Sequence, residues 1–434
     1  MTKRSFSPHK HRPNQAIVRM LFAKARQHFS RAFAQQDYPQ ALDAVLQATR
    51  LNPGNMALLG DLALCQLRCG HTEMAYETYL RIVSLPPEVQ EQCGRNWLDG
   101  LTETCGWMGN AEEVRKYGNL ALTRADKLYA TGKRWAIPKG KPPAFDSTQP
   151  ERNIIAFSLF GALPRYCETA VMNAQTASHF YPGWTCRFWV DSSVPSHVIE
   201  RLRKAGAQIT DMTGSSLAKS VPPVMWRFLV MSDPDVSRFV IRDCDALLSE
   251  RDGAAVAEWV NSDRWFHTMR DYFTHTELIL AGMWGGCTGV LPAVTSLMSQ
   301  YLATYQDSAH FVDQYFLRQI VWPTLRRSVL CHDELFDFHQ ARPFPAHPQL
   351  SWNTDKFHVG SNVSYKSFQG NVPPGERKVG IILQTAEEQE LAYLCEVKEC
   401  QWQLNVPFFL ADAFDAGRLR IRSVSPSDMQ RVDS

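Results

Sequence analysis

The chain has 434 residues, which exceeds the length of one compact core and predicts at least two domains. Its net charge of +2 excludes a global field that would attract nucleic acid or an anionic membrane, and 44% hydrophobic with 21% charged residues is ordinary for a soluble protein. No apolar run reaches the ~20 residues that span a bilayer. The eleven cysteines include no C-x-x-C pair, so we expect free thiols in a cytoplasmic protein rather than a disulfide framework or a structural zinc site.

The first segment of the chain is basic and has no apolar stretch of the kind found in signal peptides. Its cationic side chains are Lys3, Arg4, Lys10, Arg12 and Arg19. We therefore expect residues 1–20 to form a disordered arm.

Residues 21–125 have helical periodicity and an internal repeat. Ala41 and Ala75 are 34 residues apart, as are Pro53 and Pro87. A small residue lets two helices cross closely, and a proline after the second helix ends it. This spacing resembles the tetratricopeptide repeat. A third, degraded copy places Gly109 at the alanine position with a slip of about two residues, and a nondescript helical domain is the alternative.

The composition changes after this region. Residues 126–152 are rich in Pro, Lys and Gly and predict a linker. In residues 153–370, strand-like and helix-like segments alternate, which predicts an α/β domain with a mixed, mostly parallel sheet covered by helices on both faces. Residues 371–434 are predicted to be a small appended element, with strands at "KVGIILQT" and "RLRIRSV" and a helix at "AEEQELAYLCEV".

One predicted strand ends in two aspartates. The segment "FVIRDCD" runs from apolar residues into Asp243 and Asp245. Residues two apart on an extended chain point to the same side, so the two carboxylates can hold one hard divalent cation. Ligands bind at the carboxyl ends of strands in such sheets. A surface turn with solvated charges is the alternative, because D-x-D alone is an unspecific motif.

The order of four segments is more specific than this motif. W-R-F, R-D-x-D, H-x-M-R-D and G-M-W-G follow one another between Trp226 and Gly285. This arrangement resembles the metal-dependent GT-A glycosyltransferases, and in particular a group of bacterial glycosyltransferase-like proteins. The likeness covers about residues 153–360. It implies that Asp243 and Asp245 hold Mn²⁺ or Mg²⁺ against the diphosphate of a nucleotide sugar, for which we expect a UDP-sugar.

The resemblance also implies roles for further residues. The nucleotide sugar is expected to contact Phe157, Ser158, Asp191, Arg227, Trp284 and Gly285. Three of these residues also have a structural explanation. Phe157 would then belong to the core, Asp191 would cap a loop, and Trp284 would lie in a tight turn with its side chain in the core.

Catalysis is expected to involve Asp313 or Asp271 as the base of an inverting reaction, with Arg270 near the leaving phosphate. An ion pair between Arg270 and Asp271 is the structural alternative, and helix capping explains Asp313 equally well. His332 is the preferred third metal ligand, and His358 is the other option.

The predicted function is transfer of a sugar from a nucleotide-diphosphate sugar to a protein, peptide or glycan acceptor, which the helical repeats would recruit. The first alternative is a repeat-containing binding scaffold with an inactive second domain. The second is a nucleotidyltransferase, which is disfavoured because no Gly-rich phosphate loop follows the first strand.

Overall fold

The computed structural model describes residues 15–306, 311–352 and 357–429. They fall into two compact units, one ending at Arg124 and one beginning at Ala125. Most of the predicted basic arm lies outside the described residues, and residues 15–20 already belong to the first helix. Within the described ranges, no helix combines the length and the apolar character needed to cross a bilayer.

The N-terminal unit is helical, as predicted. Successive helices pack against one another, α1 on α2, α2 on α3, and α3 on α4. They are α1 (Gln15–Ala34), α2 (Tyr38–Leu51), α3 (Ala57–Arg68), α4 (Thr72–Val83), the short α5 (Pro87–Gln90), α6 (Trp97–Trp107) and α7 (Ala111–Tyr129).

The repeat spacing explains the close packing of the first two hairpins. Ala41 and Ala75 are both completely buried, each at the fourth position of its helix, α2 or α4. Gly109 does not take this position in the third hairpin, because it lies in the turn before α7 with φ +72°. The fourth residue of α7 is Val114, which is buried. The phase shift is therefore larger than predicted, since the short helical segment at residues 87–93 intervenes.

The second unit contains a seven-stranded mixed sheet, which confirms the predicted α/β fold. Its strands are β1 (Asn153–Leu159), β2 (Thr185–Val190), β3 (Gln208–Asp211), β4 (Arg238–Ile241), β5 (Phe266–Arg270), β6 (Trp284–Cys287) and β7 (Val329–Asp333). The helices around it are α8 (Pro164–Phe180), α9 (Ser196–Lys204), α10 (Ser216–Ser220), α11 (Glu250–Val260), α12 (Val294–Leu302), α13 (Val312–Phe316) and α14 (Trp322–Leu325). A 3₁₀ helix at Pro223–Ser232 precedes β4.

The strand order is β3-β2-β1-β4-β6-β5-β7. β1 pairs in parallel with β2 on one side and with β4 on the other, and only β6 runs antiparallel to its neighbours. After β1, the chain adds β2 and then β3 on one side of this strand. The next strand, β4, pairs with the other side of β1. Such a reversal is the point at which open α/β sheets bind ligands, outside the carboxyl ends of the strands. Here that point lies between the ends of β1 and β4.

A second, antiparallel sheet follows in the order β12-β9-β10-β11-β8. Its strands are β8 (Tyr365–Asn371), β9 (Lys378–Thr385), β10 (Glu390–Lys398), β11 (Gln401–Pro407) and β12 (Leu419–Val424), with α15 (Phe408–Asp415) and α16 (Pro426–Met429). The two predicted strands are present as β9 and β12.

The helix predicted at "AEEQELAYLCEV" is wrong. This segment forms β10, which pairs along its length with β9. The turn between them places Glu388 at φ +61°. Glu, Ala and Leu favour a helix locally, but pairing with β9 buries the side chains on one side of this segment and decides the outcome.

The residues predicted as a linker contact the mixed sheet's helices. Asp126 accepts hydrogen bonds from Trp322 and Arg326, and the Trp135 amide donates to Thr324 Oγ1 at 3.0 Å. At the other end, β8 begins before residue 371, the predicted start of the appended element. The second sheet also packs on α8, where the Tyr393 hydroxyl binds Glu168.

Candidate active site

The D-x-D motif lies directly beyond β4, at the point where the strand order reverses. The backbone does not stay extended there, because it turns at Cys244 and Asp245, and the Ala246 amide donates to the Asp243 carbonyl at 3.3 Å. The turn, rather than strand alternation, therefore brings the two carboxylates near each other. Cys244 is buried between them and donates through Sγ to the Ser158 carbonyl at 3.2 Å.

Arg227 connects three parts of this edge of the sheet. It extends from the 3₁₀ helix and is completely enclosed, with its side chain 6% exposed. Nη1 binds the Asp243 carboxylate and the Arg242 carbonyl, and Nη2 donates to Asp313 Oδ2 at 3.1 Å. Burial alone lowers the pKa of Arg227, but the carboxylates of Asp243 and Asp313 outweigh it, so this arginine stays charged. Its guanidinium group therefore orients two carboxylates.

Arg165 forms an ion pair with the second aspartate, Asp245, as Arg227 does with Asp243. It lies in the first turn of α8, immediately after the β1 loop, and its Nη2 is 2.9 Å from Asp245 Oδ2. Asp245 is only 11% exposed at its side chain. Burial and the neighbouring Asp243 charge raise the pKa of Asp245 to about 6, although Arg165 opposes this rise. Asp245 therefore ionises less readily than an ordinary aspartate.

We call these five residues the switch-point cluster: Asp243, Asp245, Asp313, Arg165 and Arg227. Asp313 joins it from α13, and burial and Asp243 raise its pKa against the opposing effect of Arg227. With all five groups ionised, the cluster has one net negative charge. Titratable groups whose pKa values are shifted by burial and by specific charge partners are concentrated at functional sites, which makes this cluster the candidate site.

The Asp243 carboxylate packs against Gly282, which has no side chain. A Cβ atom added at Gly282 would lie 1.9 Å from Asp243 Oδ2. Asp243 remains 40% exposed at its side chain, so its free face opens to solvent. The G-M-W-G segment therefore contributes to the site through its first glycine.

The predicted nucleotide-contacting residues of β1 and β2 have different surroundings. Phe157 is completely buried and stacks on Phe188 with ring centroids 4.7 Å apart, so its place in the core explains it without a ligand. The Ser158 hydroxyl accepts a hydrogen bond from the Arg227 amide at 2.9 Å. Asp191 caps its own loop through Ser193, whose hydroxyl in turn accepts the Gly161 amide at 2.6 Å. These bonds join the ends of β1 and β2 beside the cluster.

Trp284 and Gly285 lie inside the sheet rather than in a binding loop. Trp284 is completely buried in β6 and packs edge-on against Phe228 and Phe239. A Cβ at Gly285 would lie 2.6 Å from the Phe239 carbonyl. The prediction of a ligand-facing tryptophan plate is wrong at Trp284, because β6 is a central strand.

Arg270 and Asp271 do not pair with each other. Arg270 is buried and donates to the carbonyls of Glu277 and Leu278. The Asp271 carboxylate accepts hydrogen bonds from two nitrogens of Arg251, and it accepts another from the Val359 amide at 2.9 Å. Both side chains thus hold the backbone of other segments, and in the described residues neither forms a hydrogen bond or an ion pair with the cluster.

The structure does not bring His332 to the aspartates. β7 lies three strands from β4, about 14 Å at about 4.8 Å per strand. The His332 ring is 2.8 Å from His267 and 3.4 Å from Glu258, and burial lowers its pKa. His358 stacks on Tyr272 at 4.0 Å. The order of strands, which cannot be read from spacing, separates the preferred histidine from the motif.

The donor set fits a hard divalent ion that keeps positions open for a ligand. Across the described ranges, no group of three or more His, Cys, Asp or Glu side chains is arranged to hold a metal. Mg²⁺ and its analogues are commonly held by one or two carboxylates with substrate phosphates completing the shell. Asp243 has an exposed face, and its charge contributes to the raised pKa of Asp245, so a cation held by these two carboxylates would relieve their repulsion.

Arg165 is the residue that sequence reasoning missed. It follows the proline that begins α8, so the sequence indicates a helix start but not the partner 80 residues away. Only the pairing of β1 with β4 places the two residues together.

Comparisons with known proteins add little to this geometry. A scan against protein-family models finds no match, and a search of curated proteins finds none either. Among solved structures, a mutant O-GlcNAc transferase from Thermobaculum terrenum is similar over 48% of this chain at 15% identity, with a TM-score of 0.25. The match spans 44% of that chain, less than half its length. A similarity this low carries no argument about activity, so the function is inferred from the site.

Proposed function

We propose that the chain is a metal-dependent glycosyltransferase whose donor is a nucleoside-diphosphate sugar. The observation that supports this proposal is the switch-point cluster, which places two aspartates at the carboxyl end of β4 where β1 and β4 meet. This is the part of an α/β sheet at which nucleotides are generally bound.

The charge of the cluster supports a role for a divalent ion. Without one, the net negative charge repels a diphosphate. Asp243 and Asp245 would hold Mn²⁺ or Mg²⁺, which when bound neutralises charge on the departing diphosphate. Arg227 and Arg165 keep the two carboxylates in place through the ion pairs already described.

Asp313 is the best-placed candidate for the proton acceptor. Its carboxylate belongs to the cluster, and its raised pKa brings it closer to the value that suits a base near neutral pH. Asp271 is less suited, since it lies outside the cluster and pairs with Arg251 and the Val359 amide. A protein, peptide or glycan hydroxyl would be the acceptor, with the helical hairpins as the proposed recruiting surface.

Titration calorimetry of the full chain with UDP and GDP, with and without Mn²⁺, tests this proposal. We expect binding only with the metal, and we expect Asp245→Asn to remove it while the circular dichroism spectrum stays unchanged. A panel of UDP-glucose, UDP-N-acetylglucosamine and GDP-mannose then tests for metal-dependent release of the nucleoside diphosphate. Equal binding without metal, or an unaffected Asp245→Asn variant, would contradict the mechanism.

A second candidate has its own support, because both aspartates already pair with arginines. In a binding scaffold, Asp243 and Asp245 would serve only as counter-ions of Arg227 and Arg165. The same calorimetry distinguishes the two functions: a scaffold binds neither the metal nor the nucleotide, and Asp245→Asn then changes only stability.

A further inference from the structure

We infer that Tyr365 of the C-terminal sheet contacts the sugar ring of the donor, an inference that rests on the proposed function. Tyr365 is the first residue of β8, and it is 49% exposed. The C-terminal sheet, to which the sequence assigns no role, would then form part of the active site.

The first step of the argument is a direct contact. The Arg165 guanidinium lies 5.4 Å from the centroid of the Tyr365 ring and 5.5 Å from that of Tyr166. The same guanidinium binds Asp245 Oδ2 at 2.9 Å. Tyr365 is thus separated from a proposed metal ligand by one arginine.

The second step is the attachment of this strand to the D-x-D turn. The Val363 amide donates to the Asp245 carbonyl at 2.6 Å, and Ala246 forms an isolated bridge with Asn362. Only Ser364 separates Val363 from Tyr365. The position of the tyrosine is therefore fixed relative to the backbone of the motif.

The third step concerns the chemistry of the donor. Its sugar is bonded directly to the terminal phosphate, whereas the ribose separates the base from the diphosphate. An aromatic surface next to a metal-binding carboxylate is consequently within reach of the sugar. Aromatic rings combine an apolar face with a polar edge and are common in such pockets. Trp284 cannot provide this surface because it is completely buried, and Tyr365 is half exposed.

The test uses the best-binding sugar nucleotide in the panel above and compares its affinity with that of the nucleoside diphosphate of the same base, both with Mn²⁺. For the intact chain, the sugar should add affinity beyond that of the nucleoside diphosphate. Tyr365→Ala should weaken sugar-nucleotide binding about fivefold to tenfold, the range expected for loss of one aromatic contact, and leave UDP or GDP binding unchanged. Tyr365→Phe keeps the ring and should retain the affinity.

Leu394→Ala is the matched control, since Leu394 is 45% exposed on the same sheet. An equal loss for nucleoside diphosphate and sugar nucleotide in Tyr365→Ala would overturn the inference, because the tyrosine would then act through Arg165. No loss for either ligand, or no added affinity from any sugar in the intact chain, would overturn it as well. Absence of metal-dependent nucleotide binding in the intact chain would instead refute the proposed function.

Discussion

At Asp245, the burial that belongs to the proposed ligand site also lowers the stability of the folded protein at neutral pH. Its carboxylate is buried beside Asp243, which raises its pKa to about 6. A raised pKa in the folded state means that folding favours the protonated form. The protonated Asp245 side chain contributes its full stabilisation below about pH 3.9, the pKa of an aspartate in the unfolded chain. This contribution is lost as the pH rises through about 6, the pKa of Asp245 in the folded state.

Asp245→Asn should therefore stabilise the protein at neutral pH. The amide resembles the protonated acid, so the variant avoids the cost of a buried negative charge. We expect its free energy of unfolding to exceed that of the wild type by about 1–2 kcal/mol at pH 7.5 and to equal it near pH 4, measured by urea denaturation at both values. Asp415→Asn, at an exposed site, should change stability by less than about 0.5 kcal/mol at either pH. A loss of stability in Asp245→Asn at pH 7.5 would contradict this account.

Sequence reasoning located the two aspartates because a strand end and a motif coincide there. It did not identify Arg165, since an ion pair between residues 80 positions apart depends on which strands become neighbours. The same limitation explains His332, which is close to no aspartate of the motif because β6 and β5 intervene. The burial of Trp284 likewise follows from strand order rather than from its local sequence.

Secondary-structure elements meet at Arg227, which joins the 3₁₀ helix, the end of β4 and the start of α13. The apolar segment before the two aspartates predicted β4 well, because all four residues of this strand are buried. The C-terminal sheet was harder to predict. β10 consists largely of good helix formers, and only its pairing with β9 makes it a strand.

Arg227→Met should weaken the junction of these elements strongly. The change leaves Asp313 and Asp243 without their shared partner, and breaking a buried ion pair costs about 3–5 kcal/mol. Urea denaturation at pH 7.5 measures the loss. The additional change Asp313→Asn should restore part of it, because it removes one buried charge.

The matched control for this prediction is Arg422→Met, whose ion pair with Glu390 lies on the surface. It should cost less than about 1 kcal/mol. Similar losses in the Arg227 and Arg422 variants would show that the ion pairs of Arg227 do not stabilise the fold.

At the scale of the whole molecule, every residue of the switch-point cluster belongs to the unit that begins at Ala125. A fragment of residues 125–434 should therefore fold and keep metal-dependent UDP or GDP binding within about threefold of the full chain. The measurements are circular dichroism and calorimetry. Metal-dependent binding by the full chain but not by this fragment would show that the helical unit contributes to the nucleotide site.

A fragment of residues 153–434 provides the comparison. It lacks Asp126, which binds Trp322 and Arg326, and Trp135, which binds Thr324. We expect a lower melting temperature than for residues 125–434, since buried donors and acceptors on α14 lose their partners. Equal melting temperatures would show that residues 126–152 act as a simple linker.

The hydrogen bond from Val363 to the Asp245 carbonyl has a consequence for the energetics of ligand capture. Ordering a free backbone costs about 1–2 kcal/mol per residue at room temperature. The turn that carries both carboxylates is already immobilised by this bond and by the bridge between Ala246 and Asn362. Most of that entropy has been lost during folding, so an incoming ligand meets a pre-organised turn and retains more of its intrinsic affinity.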